Sequence, residues 1–223
     1  MPQHPSTSAV GLDWGVVNFV ALSNGEVVDQ CQPLKKFLPK LGKLQRRMTR
    51  KKKFSKNWRK AKAKVTKLHT KVANIRKDFV HKVLNDISKN HAVVFVEDLQ
   101  VGNMSKRATK KVAQKSGLNR SILDASPFEL RRRLEYKTQR QGGLLVAVAP
   151  QNTSRKCSEC GHTSAANRKT QSKFVCVECG FSANADFVGA VNIREAGLAS
   201  LACSSSSGDV SPSRQEPTEG IHA

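Results

Sequence analysis

Apolar positions along the chain change period twice. From Ala9 the run AVGLD reads as a strand and is followed by VVNFVAL, which closes at Ser23-Asn24-Gly25-Glu26 ahead of Val27-Val28. Asn-Gly between two apolar runs is the strongest short-range hairpin signal. Leu41, Leu44 and Met48, and then Trp58, Ala61, Val65, Leu68, Val72, Ile75 and Phe79, recur at helical spacing. Their stripe predicts two helices, about 41–53 and 58–89, parted near Phe54-Ser55-Lys56-Asn57 and able to pack on each other.

Strand character returns at AVVFV, a continuous run ending in Glu97-Asp98 that suits a strand covered on both faces. Residues 99–126 are polar with weak helical signals and are expected to form a mobile insertion or loop. Ser126 as N-cap, Pro127 at the first helical position and Glu129 in the first turn open a helix running to Gln141, and Gly142-Gly143 stops it. LLVAVA is another buried strand. A cysteine-rich module follows from Asn152 to about Phe181, then a last helix from about Asp186 to Glu195. The Ser/Pro/Gly-rich tail after Ala202 is expected to be disordered, because it cannot bury enough apolar surface to fold.

At 223 residues the chain has room for one ordinary core and a small satellite module. Lys and Arg total 39 against 17 Asp and Glu, a formal charge of +22. Self-repulsion on that scale calls for a polyanion, so nucleic acid is the expected partner. The charge is concentrated: 19 basic residues and no acid lie between Lys35 and Lys77. The longest apolar runs fall far short of the ~20 residues that a membrane-spanning helix needs, so no membrane partner is expected. Met1 to Ser8 is polar with two prolines. No secretory signal is read there, and the reducing cytoplasm is the expected compartment.

In that compartment cysteines point to thiol or metal chemistry. Cys157-Ser-Glu-Cys160 and Cys176-Val-Glu-Cys179 form two C-x2-C pairs separated by fifteen residues, each followed by glycine, Gly161 and Gly180. Two such turns can aim four thiolates at one ion in a closed, structural zinc site. The other reading is two redox or disulfide pairs. His162 is expected to be a surface neighbour, and Cys31 and Cys203 stand outside the ligand spacing.

Carboxylates are scarce, so their placement is informative. Asp13 ends the first strand, Glu97 ends the buried strand and Asp186 opens the final helix. Parallel strand ends and a helix crossing the same sheet edge would bring them together, and such a cluster needs a counter-ion, most naturally divalent metal. Two Mg2+ ions could orient a water and stabilise the leaving oxygen in phosphodiester hydrolysis. The plainer readings are a turn residue for Asp13, an N-cap for Asp186 and solvated ends for Glu97-Asp98. Side chains alternate on a strand, so only one of Glu97 and Asp98 faces the cluster, and periodicity leaves open which.

GLDWGVVNFVALSNG, KLQRRMTRKKKFSKNWRKAKAKVTKLHTKVANIRKDFVHKV, VVFVEDL, TSRKCSECGHTSAANRKTQSKFVCVECG and FSANADFVGAVNI resemble, in that order, the TnpB family. These are RNA-guided, transposon-associated nucleases also known as OrfB-type transposases, related to the type V CRISPR effectors. The resemblance covers about residues 9–198. It implies an α/β, RNase H-like (RuvC) mixed sheet with a long basic helical hairpin at about 35–89 and an inserted zinc ribbon at 152–181. Under it, residues 9–151 form the nuclease domain and 182–199 the third acidic motif with the final helix, flanked by disordered segments at 1–8 and 200–223.

The resemblance places the acidic residues on Asp13, Glu97 and Asp186, choosing Glu97 over Asp98, with Mg2+ or Mn2+ as catalytic metal. DNA is the implied substrate, held along the hairpin by Lys43, Arg46, Arg47, Arg50, Lys51, Lys52, Lys53, Lys56, Arg59 and Lys60 through phosphates rather than bases. Family members carry an N-terminal recognition region that grips guide RNA, whereas eight residues precede the first strand here. The expectation is therefore the catalytic half of such an enzyme, with guide RNA bound if that region is supplied. The rival expectation is a non-catalytic nucleic-acid-binding remnant.

Overall fold

The structure is a computed structural model that describes residues 3–99, Gly102, Lys106, 112–125 and 127–206. A five-stranded mixed sheet carries the fold. Its strands are β1 (Ala9–Trp14), β2 (Asn18–Leu22), β3 (Val27–Asp29), β4 (Val93–Glu97) and β5 (Leu144–Val148), in the order β3-β2-β1-β4-β5. The predicted hairpin is present: β2 pairs antiparallel with β1 and β3, and Gly25 takes the positive φ that its turn requires. β1, β4 and β5 run parallel, with Leu12 opposite Val96 and Glu97 opposite Val148.

Two helical layers sandwich the sheet. On one face Val10, Leu12, Val94 and Val96 pack against Val80, Leu84 and Ile87 of α2 (Lys56–Asn90) and Leu130 and Leu134 of α4 (Pro127–Arg140). On the other, Phe95 and Val148 pack against Ile193 of α5 (Ala185–Ser206). α5 lies so close to β1 that a Cβ on Gly11 would come within 2.1 Å of the Ala190 carbonyl oxygen. Glycine there sets the approach of the helix that carries Asp186.

α1 (Pro33–Thr49) and α2 form the basic hairpin, held by Leu41 against Val65 and Leu68, with Phe37, Leu44 and Met48 packed on them. α1 starts earlier than the stripe predicts because Leu34 and Phe37 extend its apolar face and Pro33 suits a first turn. Ser55 caps α2, its Oγ accepting from the Trp58 N–H at 3.2 Å.

Three expectations need correction: in the segment 1–8 read as disordered, His4 is buried, with its ring 2.9 Å from the Ser88 carbonyl oxygen. Within the stretch read as a loop, Val112–Ala125 is a helix, α3, which buries Ile122; Ala, Gln, Lys and Leu are good helix formers, and one buried side chain docks the segment. The last helix does not stop at Glu195 but runs to Ser206, because Ala- and Leu-rich sequence continues it and Leu201 joins the Phe95 cluster. The expected N-cap Ser126 and the tail from residue 207 lie outside the described residues. Among the described residues no helix is long and apolar enough to cross a membrane.

Candidate metal centres and nucleic-acid face

Alternation along the parallel strands decides which carboxylates meet. Gly11 and Asp13 share the face of β1 that looks at α5, and Phe95 and Glu97 share the same face of β4. Asp98 points the other way and pairs with Arg131 of α4. The structure therefore puts Glu97, not Asp98, beside Asp13.

Asp186 arrives from α5. Asn184 caps this helix, its Oδ1 accepting from the N–H groups of Asp186 at 2.8 Å and Phe187 at 3.3 Å. The capping role open to Asp186 in sequence is thus filled by a neighbour, and its carboxylate is left for other partners. It accepts from Asn18 Nδ2 at 3.2 Å and pairs with Arg168 at 3.5 Å. Thr153 Oγ1 donates to Glu97.

Crowding of acids shows in their proton affinity. Burial pushes the Asp13 carboxyl up to about 7, helped by the nearby charges of Glu97 and Asp186 and opposed by Arg168. Burial also raises Glu97, against the Thr153 hydrogen bond and Arg168. A Cβ on Gly189 would lie 2.6 Å from Asp13 Oδ2, so only glycine lets the carboxylate sit against α5. Three carboxylates thus gather around one guanidinium, whereas among the described residues only the four cysteines bring their ligand atoms within 4.8 Å of one another. Arg168, Thr153, Asn18 and Asn184 belong to this site but carry no period or spacing that would single them out in the sequence.

The four cysteines also converge. Their Sγ atoms all lie within 4.8 Å of one another, with Cys157–Cys179 at 3.7 Å and Cys160–Cys176 at 3.6 Å. Tetrahedral coordination at ~2.3 Å per Zn–S bond requires S–S separations of ~3.8 Å, so the set fits a metal such as zinc. The two turns are built alike. The Gly161 and Gly180 N–H groups donate to Cys157 and Cys176 carbonyls at 3.1 Å, and both glycines have φ of 75°. The Cys179 N–H holds Cys176 down to about 6, whereas Cys160 is pushed up to about 12: the His162 N–H favours its thiolate, but burial and the neighbouring sulfurs outweigh it.

This module is bound to the carboxylate cluster. Phe174, Cys157 and Cys176 share a core with Ala185 and Val188 of α5. Buried Asn167 staples the two cysteine turns, donating to the Arg155 and His162 carbonyls and accepting from the Val177 N–H. Arg168 is the next residue. Asn192 ties α5 to the module through the Thr153 and Lys156 carbonyls, both at 2.8 Å.

On the hairpin, Lys43, Arg46, Arg47, Arg50, Lys51, Lys52, Lys53, Lys56, Arg59 and Lys60 are all exposed. Among the described residues none of them pairs with a carboxylate. The face is one of unneutralised positive charge.

Fold and sites together define a mixed-sheet α/β protein with a carboxylate cluster at its parallel strand ends, a four-cysteine metal-binding module and a basic helical arm. The OrfB_IS605 family, described as "Probable transposase", matches residues 1–108, and the Cas12f1-like TNB domain matches residues 128–193. The chain is 51% identical, over 100% of its length, to "Putative RNA-guided DNA endonuclease InsQ" of Escherichia coli K12, of which it covers 57%. It is 34% identical, over 98% of its length, to "Putative RNA-guided DNA endonuclease" of Streptomyces pristinaespiralis, of which it covers 52%. It thus spans little more than half the length of these relatives. Its fold is similar to the protein in a Cas12f1–sgRNA–target DNA complex, with a TM-score of 0.55 at 22% identity, over 83% of this chain and 49% of that one. The chain is thus similar along its length to TnpB-type (OrfB) proteins.

Proposed function

We propose that this chain carries the RNase H-like (RuvC) nuclease centre of a DNA endonuclease, with Asp13, Glu97 and Asp186 holding Mg2+ or Mn2+ and the four cysteines holding structural zinc. The observation that carries the reading is the convergence of three carboxylates, from two parallel strand ends and a helix start, on one face of the sheet edge. When bound, divalent metal would supply Lewis acidity, an activated water and, with two ions, stabilisation of the leaving oxygen.

The chain's own residues do the rest. Thr153 orients Glu97, and Asn18 orients Asp186. Arg168 brings a permanent positive charge to the place where a phosphodiester's anionic oxygens must come. The basic hairpin holds DNA by its phosphates. RNA guidance, as in the names of the relatives, is proposed for the longer assembly of which such a centre is part.

The test is cleavage of labelled single-stranded and duplex DNA with Mg2+ or Mn2+, with and without co-purified RNA. Asp186→Ala should abolish cutting while leaving nucleic-acid binding within about twofold, because binding rests on Lys and Arg. An Asp186→Ala chain that cuts like the wild type contradicts the reading.

A further inference from the structure

The tip of the basic hairpin carries two features that phosphate contact does not explain. Phe54 is 65% exposed, and its backbone has a φ of 67°. A non-glycine residue pays roughly 1–2 kcal/mol for that left-handed conformation, which here turns an apolar ring out to solvent. Trp58, half-buried in the first turn of α2, meets it edge to face with ring centroids 5.4 Å apart.

Cations frame these rings. The Lys53 ammonium lies over one face of the Phe54 ring and the Lys62 ammonium over one face of the Trp58 ring, each 5.2 Å from the ring centre, so a base would stack on the faces these cations leave uncovered. From this pair an open groove of about 900 Å3 follows α2 as far as Ile75, edged by Arg59, Lys67 and Lys71. An apolar protein partner would strand those charges. A nucleic acid strand satisfies both parts, because its phosphates meet the ammonium groups and the π faces of its unpaired bases meet the rings.

We infer that Phe54 and Trp58 form a stacking platform for an unpaired nucleobase, making the α2 groove a single-strand binding site distinct from the carboxylate cluster. This rests on the reading of the hairpin as a nucleic-acid face and adds base contact to it. Base–aromatic stacking contributes about 1–3 kcal/mol per base and tolerates any sequence. Each 1.4 kcal/mol is tenfold in affinity.

The experiment compares binding of a fluorescein-labelled thymidine 15-mer with that of an abasic sugar–phosphate 15-mer, using the full zinc-loaded chain without Mg2+. The wild type should prefer the thymidine oligomer by roughly tenfold or more. Phe54→Ala/Trp58→Ala should remove that preference and leave abasic binding unchanged, and Trp58→Phe should restore most of it. An unchanged far-UV dichroism spectrum establishes that the hairpin of the double variant is folded.

Equal wild-type affinity for both oligomers overturns the platform while leaving the phosphate-binding hairpin in place, and so does an equal drop for both in the double variant. Binding of neither overturns the nucleic-acid reading as well. Poly-glutamate bound as tightly as thymidine, with the same dependence on Phe54 and Trp58, would make the groove a face for an acidic protein and overturn the platform too.

Discussion

At the residue scale the central fact is a carboxyl that resists ionisation. Asp13 has an ordinary value of 3.8 and rises to about 7 in the fold, chiefly through burial. The folded chain therefore binds this proton more tightly than the unfolded one, so stability falls as pH rises from about 4 to about 7 and stays low above that. The loss is on the order of 4 kcal/mol. Asp13→Asn removes it. In metal-free buffer the variant should be more stable than the wild type at pH 8, with the gap closing toward pH 4; denaturant titrations at both values read it. Adding Mg2+ at pH 8 should raise the wild type toward the variant and leave the variant unmoved. A gap independent of pH would show that Asp13 is not the strained group.

Elements place these residues, and the four-cysteine module bears on that placement. Phe174 packs with Cys157 and Cys176 on the first turns of α5, and Arg168 reaches Asp186 from the same module. Metal affinity at a site that forms only on folding is folding free energy. Cys157→Ser, or stripping of zinc, should lower the melting temperature, at roughly 2–4 °C per kcal/mol for a chain of this size. Proteolysis should open first between the cysteine pairs. An unchanged melting curve and digestion pattern would remove the structural role.

Periodic and spaced elements were legible from sequence: the β1–β2–β3 hairpins, the paired basic helices and the two C-x2-C turns. So were the three acids as a candidate set, because each ends or starts an element. The choice between Glu97 and Asp98 was not legible from period alone. It depends on which face of β4 packs on α5, a tertiary fact that Gly11, Phe95 and Arg131 reveal. Arg168, Thr153 and Asn184 were invisible for the same reason, since their partners lie across the fold or take over a cap that sequence offered equally to Asp186. α3 escaped because its stripe is weak and it buries Ile122 on few contacts. The tail of α5 read as polar serine while Leu201 still had a core to join.

Across the whole molecule, charge and chemistry are divided. Among the described residues the hairpin's tip carries a cationic face with no carboxylate paired to it, and three of the 17 acidic residues meet where two strand ends and a helix start come together. The four-cysteine module packs on the carboxylate side through α5. In the proposed enzyme this separates holding the polyanion from hydrolysing it, so mutations on one side should spare the other.

The proposed function requires three carboxylates distant in sequence to make one divalent-cation site. Electron paramagnetic resonance of Mn2+ titrated into the zinc-loaded chain tests it without requiring that any substrate be cut. The wild type should quench the free Mn2+ signal saturably, Asp13→Asn and Asp186→Asn should each lose that binding, and Asp98→Asn should retain it. Binding that survives Asp13→Asn and Asp186→Asn, or that Asp98→Asn removes, would contradict the account.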